Sequence, residues 1–327
     1  MSLTPLVTDM SSWEVLAVEE QSAIDLSPVF RKRASNVSQA LSRLAVPFIF
    51  VNAVWKEDLG EAAMAYEHIL TERKGGVLVV TLNRPDRLNA APPAMFVEIK
   101  QALENLDGAR AVLITGAGRA FCSGADVGGG ALSAGERGQD PGEMTYQALT
   151  QSYNPTLAAV ADLSVPVVTA VRGPAAGIGC SLALAADFCV ASDTAYFLQA
   201  FVNIGLVPDG GASWMLTRLI GRPRATEMMM LGERVPAAKA VEWGMIHKAV
   251  VDDALDAEAL VLAERLAAGP TVALGLMRRQ LHDALEGDYA AAMLREAENQ
   301  RAARGTADSM EGGMAFLQKR KAEFKGQ

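Results

Sequence analysis

Two glycine-rich turns carry the residues of this chain best suited to chemistry. The first reads Thr115-Gly-Ala-Gly-Arg-Ala-Phe-Cys-Ser-Gly-Ala-Asp126 and continues a short apolar run, Ala111–Thr115. A dinucleotide fingerprint needs a third glycine where Phe121 stands, and a P-loop needs Lys then Ser or Thr where Ala125 and Asp126 follow Gly124. Both readings therefore fail. What remains is a turn whose glycine lets the backbone approach a ligand, with the Ala125 N–H free to point inward. The second segment is Val165-Pro-Val-Val-Thr-Ala-Val-Arg-Gly-Pro-Ala-Ala-Gly-Ile-Gly-Cys180, in which small residues open a helix directly after a strand. Unpaired N–H groups at a helix start favour a developing anion, which makes the Ile178 N–H the candidate donor. Two such donors, one from each turn, would form an oxyanion hole worth about 3 kcal/mol per donor. Taken singly, each segment reads equally well as structure: a tight loop in one case, close helix–strand packing in the other.

Other chemistries find less support. His68, His247 and His282 are scattered, without Cys, Asp or Glu at ligand spacing, so no metal site is expected. There is no G-x-S-x-G elbow, and Cys180 has no histidine in its local segment, which argues against covalent hydrolysis. Met228-Met-Met230 reads as filler for a core or an acyl pocket.

The elements that must position the two turns follow from periodicity and breakers. Tyr66–Glu72 and Gly76–Asn83 read as strands joined at Lys74-Gly75-Gly76. Pro93–Leu106 has helical spacing, with Met95, Ile99, Leu103 and Leu106 on one face. Ala111–Thr115, Pro166–Val171 and Phe188–Ala191 read as buried strands, and Ala195–Gln199 as a short one. Residues 127–142 have the composition of a mobile loop, Tyr146–Leu163 that of one helix, and Arg172–Gly179 that of a turn into a helix from Cys180 to about Ala186. Helices are expected at Gly211–Ile220, Arg224–Leu231, Ala237–Trp243, Ala254–Ala268, Thr271–Glu286 and Tyr289–Thr306, then at Asp308–Lys325. This alternation implies an α/β body of repeated β-β-α turns, residues 64–260, with a helical module at 261–327. Apolar Met310, Met314 and Phe316 suggest that the module packs on another subunit. Residues 1–63 read differently, with one plausible amphipathic helix near Val29–Leu44; an extension upstream of a start at Met64 and a small helical add-on both fit.

Composition bounds the partners. Of 327 residues, 50% are hydrophobic and 21% charged, with a net charge of −8. No basic stripe suggests nucleic acid, so an anionic cofactor would need a local basic or amide-rich site. No run reaches the roughly 18 apolar residues of a membrane helix, and Asp9, Glu14, Glu19 and Glu20 do not suit a secretory signal. Three cysteines, Cys122, Cys180 and Cys189, form no disulfide framework. A soluble protein in the reducing cytoplasm is the expectation.

In wording and separation the two turns resemble the signature regions of the crotonase (enoyl-CoA hydratase/isomerase) superfamily. The resemblance continues through Leu182-Ala-Leu-Ala-Ala-Asp187, Ile204-Gly-Leu-Val-Pro-Asp-Gly-Gly211, Glu242-Trp-Gly-Met245 and Glu311-Gly-Gly-Met-Ala-Phe316 to Lys319. It implies the crotonase spiral of β-β-α units with a C-terminal helical trimerisation module, assembled as a homotrimer or hexamer. It also implies acyl-CoA thioesters as substrates, with no cofactor beyond the coenzyme A moiety. Carried over, Ala125 and Ile178 supply the oxyanion N–H groups. The stretch Asn83-Arg-Pro-Asp-Arg-Leu-Asn89-Ala90, with Arg87, Leu88 and Ala90, and the loop ending at Asp126, with Ser123 and Gly124, would line the coenzyme A nucleotide. Arg87 would meet a phosphate, and Lys319 a neighbour's cofactor.

Hydratases of this family use two glutamates, whose positions fall here on Ser181 and Phe201. The carboxylate left at a family catalytic position is Asp209. Beside the acyl chain, partial desolvation would raise its pKa toward general-base range; as an N-cap it would merely start the helix from Gly211. Isomerases acting on phenylacetyl-type enoyl-CoAs place an aspartate here, and Tyr153-Asn154-Pro155 and Gln199-Ala-Phe201 are similar to their text. Aromatic-CoA dehalogenases partner such an aspartate with His and Trp, where this chain has Asn154 and Phe201. The resemblance thus implies an enoyl-CoA isomerase working through Asp209, with loop 127–142 closing over the substrate. A hydratase or hydrolase of the same fold, and a non-catalytic acyl-CoA-binding protein, are the alternatives.

Overall fold

A computed structural model describes residues 66–126, 138 and 140–327. The plausible helix near Val29–Leu44, and loop residues 127–137 and 139, lie outside the described residues. Tyr66–Gln327 forms one unit.

Its centre is a six-stranded sheet in the order β1-β2-β3-β4-β6-β9. The hairpin of β1 (Ile69–Lys74) and β2 (Val77–Leu82) turns at Gly75, whose φ of 57° suits glycine. From β2 onward the ladder is parallel, through β3 (Ala111–Gly116), β4 (Val167–Val171), β6 (Phe188–Ser192) and β9 (Lys248–Val250). Sequences such as VLVVTL and VVTAV suit strands buried on both faces, because parallel sheets are covered on both sides. Alternation along β2 divides the core accordingly. Leu78, Val80 and Leu82 join Met95, Phe96 and Ile99 of α1 (Pro93–Glu104) on one side. Val77 and Val79 face Ala259, Ala263 and Ala267 of a later helix on the other. Each fully buried Phe, Ile or Leu contributes about 1.5–3 kcal/mol.

Between β3 and β4 run α2 (Pro141–Ala148), a π-helical turn (Leu149–Tyr153) and α3 (Asn154–Asp162). The single helix expected over Tyr146–Leu163 is thus three pieces. Short strand β5 (Pro174–Ala176) interrupts what reads in the sequence as a plain turn, and α4 (Ile178–Leu184) begins before Cys180. A second sheet joins β5, β7 (Tyr196–Leu198) and β8 (Val235–Pro236). Beyond β7 come α5 (Ala212–Leu219), α6 (Gly221–Leu231), α7 (Ala237–Glu242) and, after β9, α8 (Leu255–Ala267).

The tail of the molecule is helical: α9 (Thr271–Ala284), α10 (Tyr289–Arg304) and α11 (Ala307–Leu317). Arg278 ties α9 to the core through Asp187 at 2.6 Å and the Val160 carbonyl at 3.0 Å, with its side chain only 8% exposed. The helix expected to reach Lys325 stops at Leu317 instead. Buried Asp308 accepts the N–H groups of Lys325 and Gly326 at 2.7 and 2.8 Å, and Arg110 donates to the Phe324 carbonyl at 3.0 Å, so the following chain folds back. Local helix propensity in Lys321–Lys325 is overridden by these tertiary bonds. No single helix among the described residues is long and apolar enough to cross a membrane.

Candidate active site

Three connections leave the carboxyl ends of β2, β3 and β4, the side on which open α/β sheets place ligands. The stretch after β2 contains Leu88 and Asn89 in the left-handed region, at φ 51° and 53°. Asn89 is fully buried: its Nδ2 donates to the carbonyls of Ala117 (3.0 Å) and Ala120 (2.7 Å), and its Oδ1 accepts the Arg84 N–H at 2.8 Å. This amide folds the turn after β3 onto the stretch after β2. A Cβ at Gly116 would lie 2.4 Å from the Ala120 carbonyl oxygen, so only glycine fits.

The turn then runs beside residues 88–91. Ser123 N–H donates to Leu88 O at 3.0 Å, Ala91 N–H to Gly124 O at 2.8 Å, and Asp126 N–H to Ala91 O at 3.0 Å. Ala125 is held from both sides while its own N–H donates to no described residue. On the opposite flank, Cys122 exchanges bonds with the connection after β4: its N–H donates to Pro174 O at 3.0 Å and its carbonyl accepts Ala176 N–H at 2.9 Å. Gly177 follows at φ 53°, its N–H on Leu198 O at 2.8 Å, and a Cβ there would lie 3.9 Å from Gly124 Cα. Ile178, the first residue of α4, likewise donates its N–H to no described residue. The two turns read separately in the sequence are therefore brought into contact, each contributing one uncommitted amide.

Asp209 arrives from the other side. Ser181 Oγ donates to its carbonyl at 3.2 Å, and Gly210 sits so tightly that a Cβ would come within 2.5 Å of Ile178 Cδ1 and 2.9 Å of Leu157 Cδ1. Its side chain makes no capping bond; Gly211 occupies the N-cap of α5, which settles against the capping alternative. Carboxylate Oδ1 is buried without a hydrogen-bond partner among the described residues, and burial pushes the pKa up to about 6 from 3.8. Asp209 lines a cleft of about 550 Å³ together with Leu149, Asn154, Leu157, Ala158 and Gly211. Ser181, sealed at 0% exposure, and Phe201, whose ring covers Gly177, leave neither glutamate position with a carboxylate.

The model of the enoyl-CoA hydratase/isomerase family matches residues 72–327. The chain belongs to that family. A Rhodobacter capsulatus protein named "probable enoyl-CoA hydratase" is 40% identical over 264 residues, covering 80% of this chain and all of the relative. The 1,2-epoxyphenylacetyl-CoA isomerase of Escherichia coli is 39% identical over 266 residues, covering 80% of this chain and 99% of the relative. Among solved structures, an enoyl-CoA hydratase from Polaromonas sp. JS666 superposes with a TM-score of 0.74 at 32% identity, covering 79% of this chain and 99% of that one. The crotonase fold expected from the two signature turns is thus the fold observed, and acyl-CoA thioesters are the substrates of the family.

Of the remaining residues singled out for coenzyme A, most sit together. Arg87 closes a 3-10 turn (Pro85–Arg87) with its guanidinium exposed and 4.0 Å from Asp126. Asp126 is held more firmly by Arg84 at 2.8 Å, and Arg84 also donates to the Ala90 carbonyl. Leu88 and Ser123 share a backbone bond, and Gly124 adopts φ 111°, with its Cβ position 3.3 Å from the Ala176 oxygen. Lys319 stands apart, exposed beyond α11 at φ 54°, with no side-chain bond to this group. Arg84 and Asn89 lie within the Asn83–Ala90 stretch expected to line coenzyme A, but their part in holding the two stretches together is not read from the sequence. The clue available was an Arg and an Asn within a proline-containing turn, a pattern that says turn before it says clamp.

Proposed function

We propose that the chain is an enoyl-CoA isomerase that moves a double bond, or assists the opening of an epoxide, by proton transfer through Asp209. The observation that carries this reading is the half-buried Asp209 carboxyl, one oxygen without a partner among the described residues and the pKa lifted to about 6, in a cleft where both family glutamate positions are occupied by Ser181 and Phe201. The thioester oxygen would accept the Ala125 and Ile178 N–H groups, which lowers the cost of forming the enolate. Ionised Asp209 takes a proton from one carbon of the acyl chain and returns it two carbons away. Coenzyme A would lie along Arg87, Leu88, Ala90, Ser123, Gly124 and Asp126, and the scheme uses no group beyond the coenzyme A of the substrate. Likeness to the E. coli 1,2-epoxyphenylacetyl-CoA isomerase supports this choice.

A hydratase is the second reading, favoured by the likeness to the R. capsulatus protein. Incubation with short, medium and arylacetyl enoyl-CoA esters in deuterated water separates the two by NMR. Deuterium at C2 or C4 with a shifted double bond supports the isomerase; oxygen at C3 supports the hydratase; no change with any ester leaves acyl-CoA binding alone. Asp209→Asn should lower isomerase turnover about a thousandfold while CoA-ester affinity holds.

The assembly we propose is a homotrimer or hexamer joined through the C-terminal helices, where Leu281, Tyr289, Leu294, Phe316 and Leu317 are exposed; Lys319 would then reach a neighbour's cofactor. Light scattering on the eluting protein tests it. Three free, buried thiols fit a reducing compartment such as the cytoplasm.

A further inference from the structure

Tyr153 has no part in the proton-transfer scheme, yet it is 5% exposed beside the cleft. Its ring packs edge-on against Phe96, centroids 4.8 Å apart, and its hydroxyl donates to the Ala91 carbonyl at 2.8 Å. That carbonyl also accepts the Asp126 N–H, while the Ala91 N–H donates to Gly124 O. Ala91 and Ala125 form an isolated bridge, so no continuing ladder reinforces the pair. The residue on each side of Ala125 is thus tied to Ala91, and Ala91 is tied to Tyr153. Burial, and then the charges of Cys122, Asp209 and Asp126, hold the phenol well above its ordinary pKa, so it remains a donor across the working pH range. Tyr153 closes the π-helical turn, and the next residue, Asn154, begins the helix that walls the Asp209 cleft with Leu157 and Ala158.

We propose that the Tyr153 hydroxyl is a positioning group: by gripping the Ala91 carbonyl it sets the direction of the Ala125 N–H and couples that donor to the helix lining the acyl cleft. The proposal rests on the reading of Ala125 as an oxyanion donor. A small misalignment of such a donor costs rate without costing affinity, because the interaction counts most in the transition state.

Tyr153→Phe removes only the hydroxyl and leaves the Ala91 carbonyl its bond from Asp126. Phe96→Leu serves as the companion variant, loosening the ring packing while keeping the hydroxyl. Phenylacetyl-CoA labelled with carbon-13 at the thioester carbonyl is the probe, read by infrared difference spectroscopy in the wild-type protein and both variants. Binding to the wild-type protein should lower the carbonyl frequency. Tyr153→Phe should lose much of that shift, with isomerase kcat down about tenfold, KM within about twofold and the pH profile governed by Asp209 unmoved. Phe96→Leu should lower the melting temperature and retain the shift. A Tyr153→Phe protein with the wild-type carbonyl shift and kcat overturns the proposal, as does equal loss of the shift in Phe96→Leu, which would assign the effect to packing. No shift in the wild-type protein would remove the oxyanion reading itself, and this inference with it.

Discussion

Replacing Asp209 with Asn preserves the shape of the side chain and removes its charge. In the native protein the carboxyl titrates at about 6 in place of 3.8, because burial disfavours the ionised form. A difference of that size corresponds to about 3 kcal/mol, and the partial contact that the half-buried side chain keeps with water trims it to about 2 kcal/mol. The sign follows from linkage: with the folded pKa raised, the stability this group contributes is complete below pH 3.8 and lost as pH rises to about 6. Above pH 7 the wild-type protein therefore carries the full cost of an ionised, poorly solvated carboxylate, and the Asn variant does not. At pH 8 Asp209→Asn should be more stable by about 2 kcal/mol, a rise in melting temperature of about 5 °C for a unit of this size. The advantage should shrink steadily between pH 6 and pH 4. Scanning calorimetry of both proteins at several pH values measures it directly. Equal stabilities at pH 8, or a gap that does not change with pH, would refute the claim that burial sets this pKa.

Further outcomes follow from the same geometry. Isomerase kcat/KM should climb tenfold per pH unit below about 6 and level off above 7, since the base must be ionised; a profile flat from pH 5 to 8 would take Asp209 out of that role. Gly124→Ala forces a side chain into φ 111° against the Ala176 oxygen and should cut kcat about a hundredfold with the protein still folded, as steady-state kinetics beside circular dichroism would show. Arg278→Ala strips a buried guanidinium from Asp187 and two carbonyls and should cost about 3 kcal/mol in urea unfolding, whereas a loss under 1 kcal/mol would mean that water replaces the arginine. Burial raises the thiols of Cys122, Cys180 and Cys189 to about 11, 12 and 12, so a disulfide reagent should label none in the native protein and all three in urea.

Elements that alternate or recur regularly were legible in the sequence. The β1–β2 hairpin, α1 and the buried runs of β3 and β4 lie within two or three residues of their expected places, because their apolar faces are set by local periodicity. Strands β8 and β9, of two and three residues, carry no pattern of their own and exist through pairing with β7 and β6. The C-terminal helix was overextended because Asp308 and Arg110 act from far away in sequence. In the site, the two turns were legible individually, but their meeting through Cys122, Pro174 and Ala176 is a tertiary fact. Asp209 is reached through family resemblance; the burial of its Oδ1, which suits it to be a base, is set by tertiary packing that no local pattern announces. Periodicity could not have exposed Tyr153, since one surplus residue in a helical run leaves the apolar spacing almost unchanged.

That surplus residue has a consequence for insertions and deletions. The π-helical turn at Leu149–Tyr153 holds one residue more than an α-turn requires. Deleting one residue there would bring α2 and α3 into α-helical register, with Pro155 then inside the fused helix as a kink. Thr156, Leu157 and Val160 are anchored in the core and would stay, while everything before the deletion would rotate by about 100°. Leu149 would swing out of the cleft and another side chain would take its place. In a scan of single-residue deletions, this stretch should therefore yield folded proteins with a reshaped acyl wall. At this joint the length of the chain, before any exchange of side chains, decides what the substrate touches.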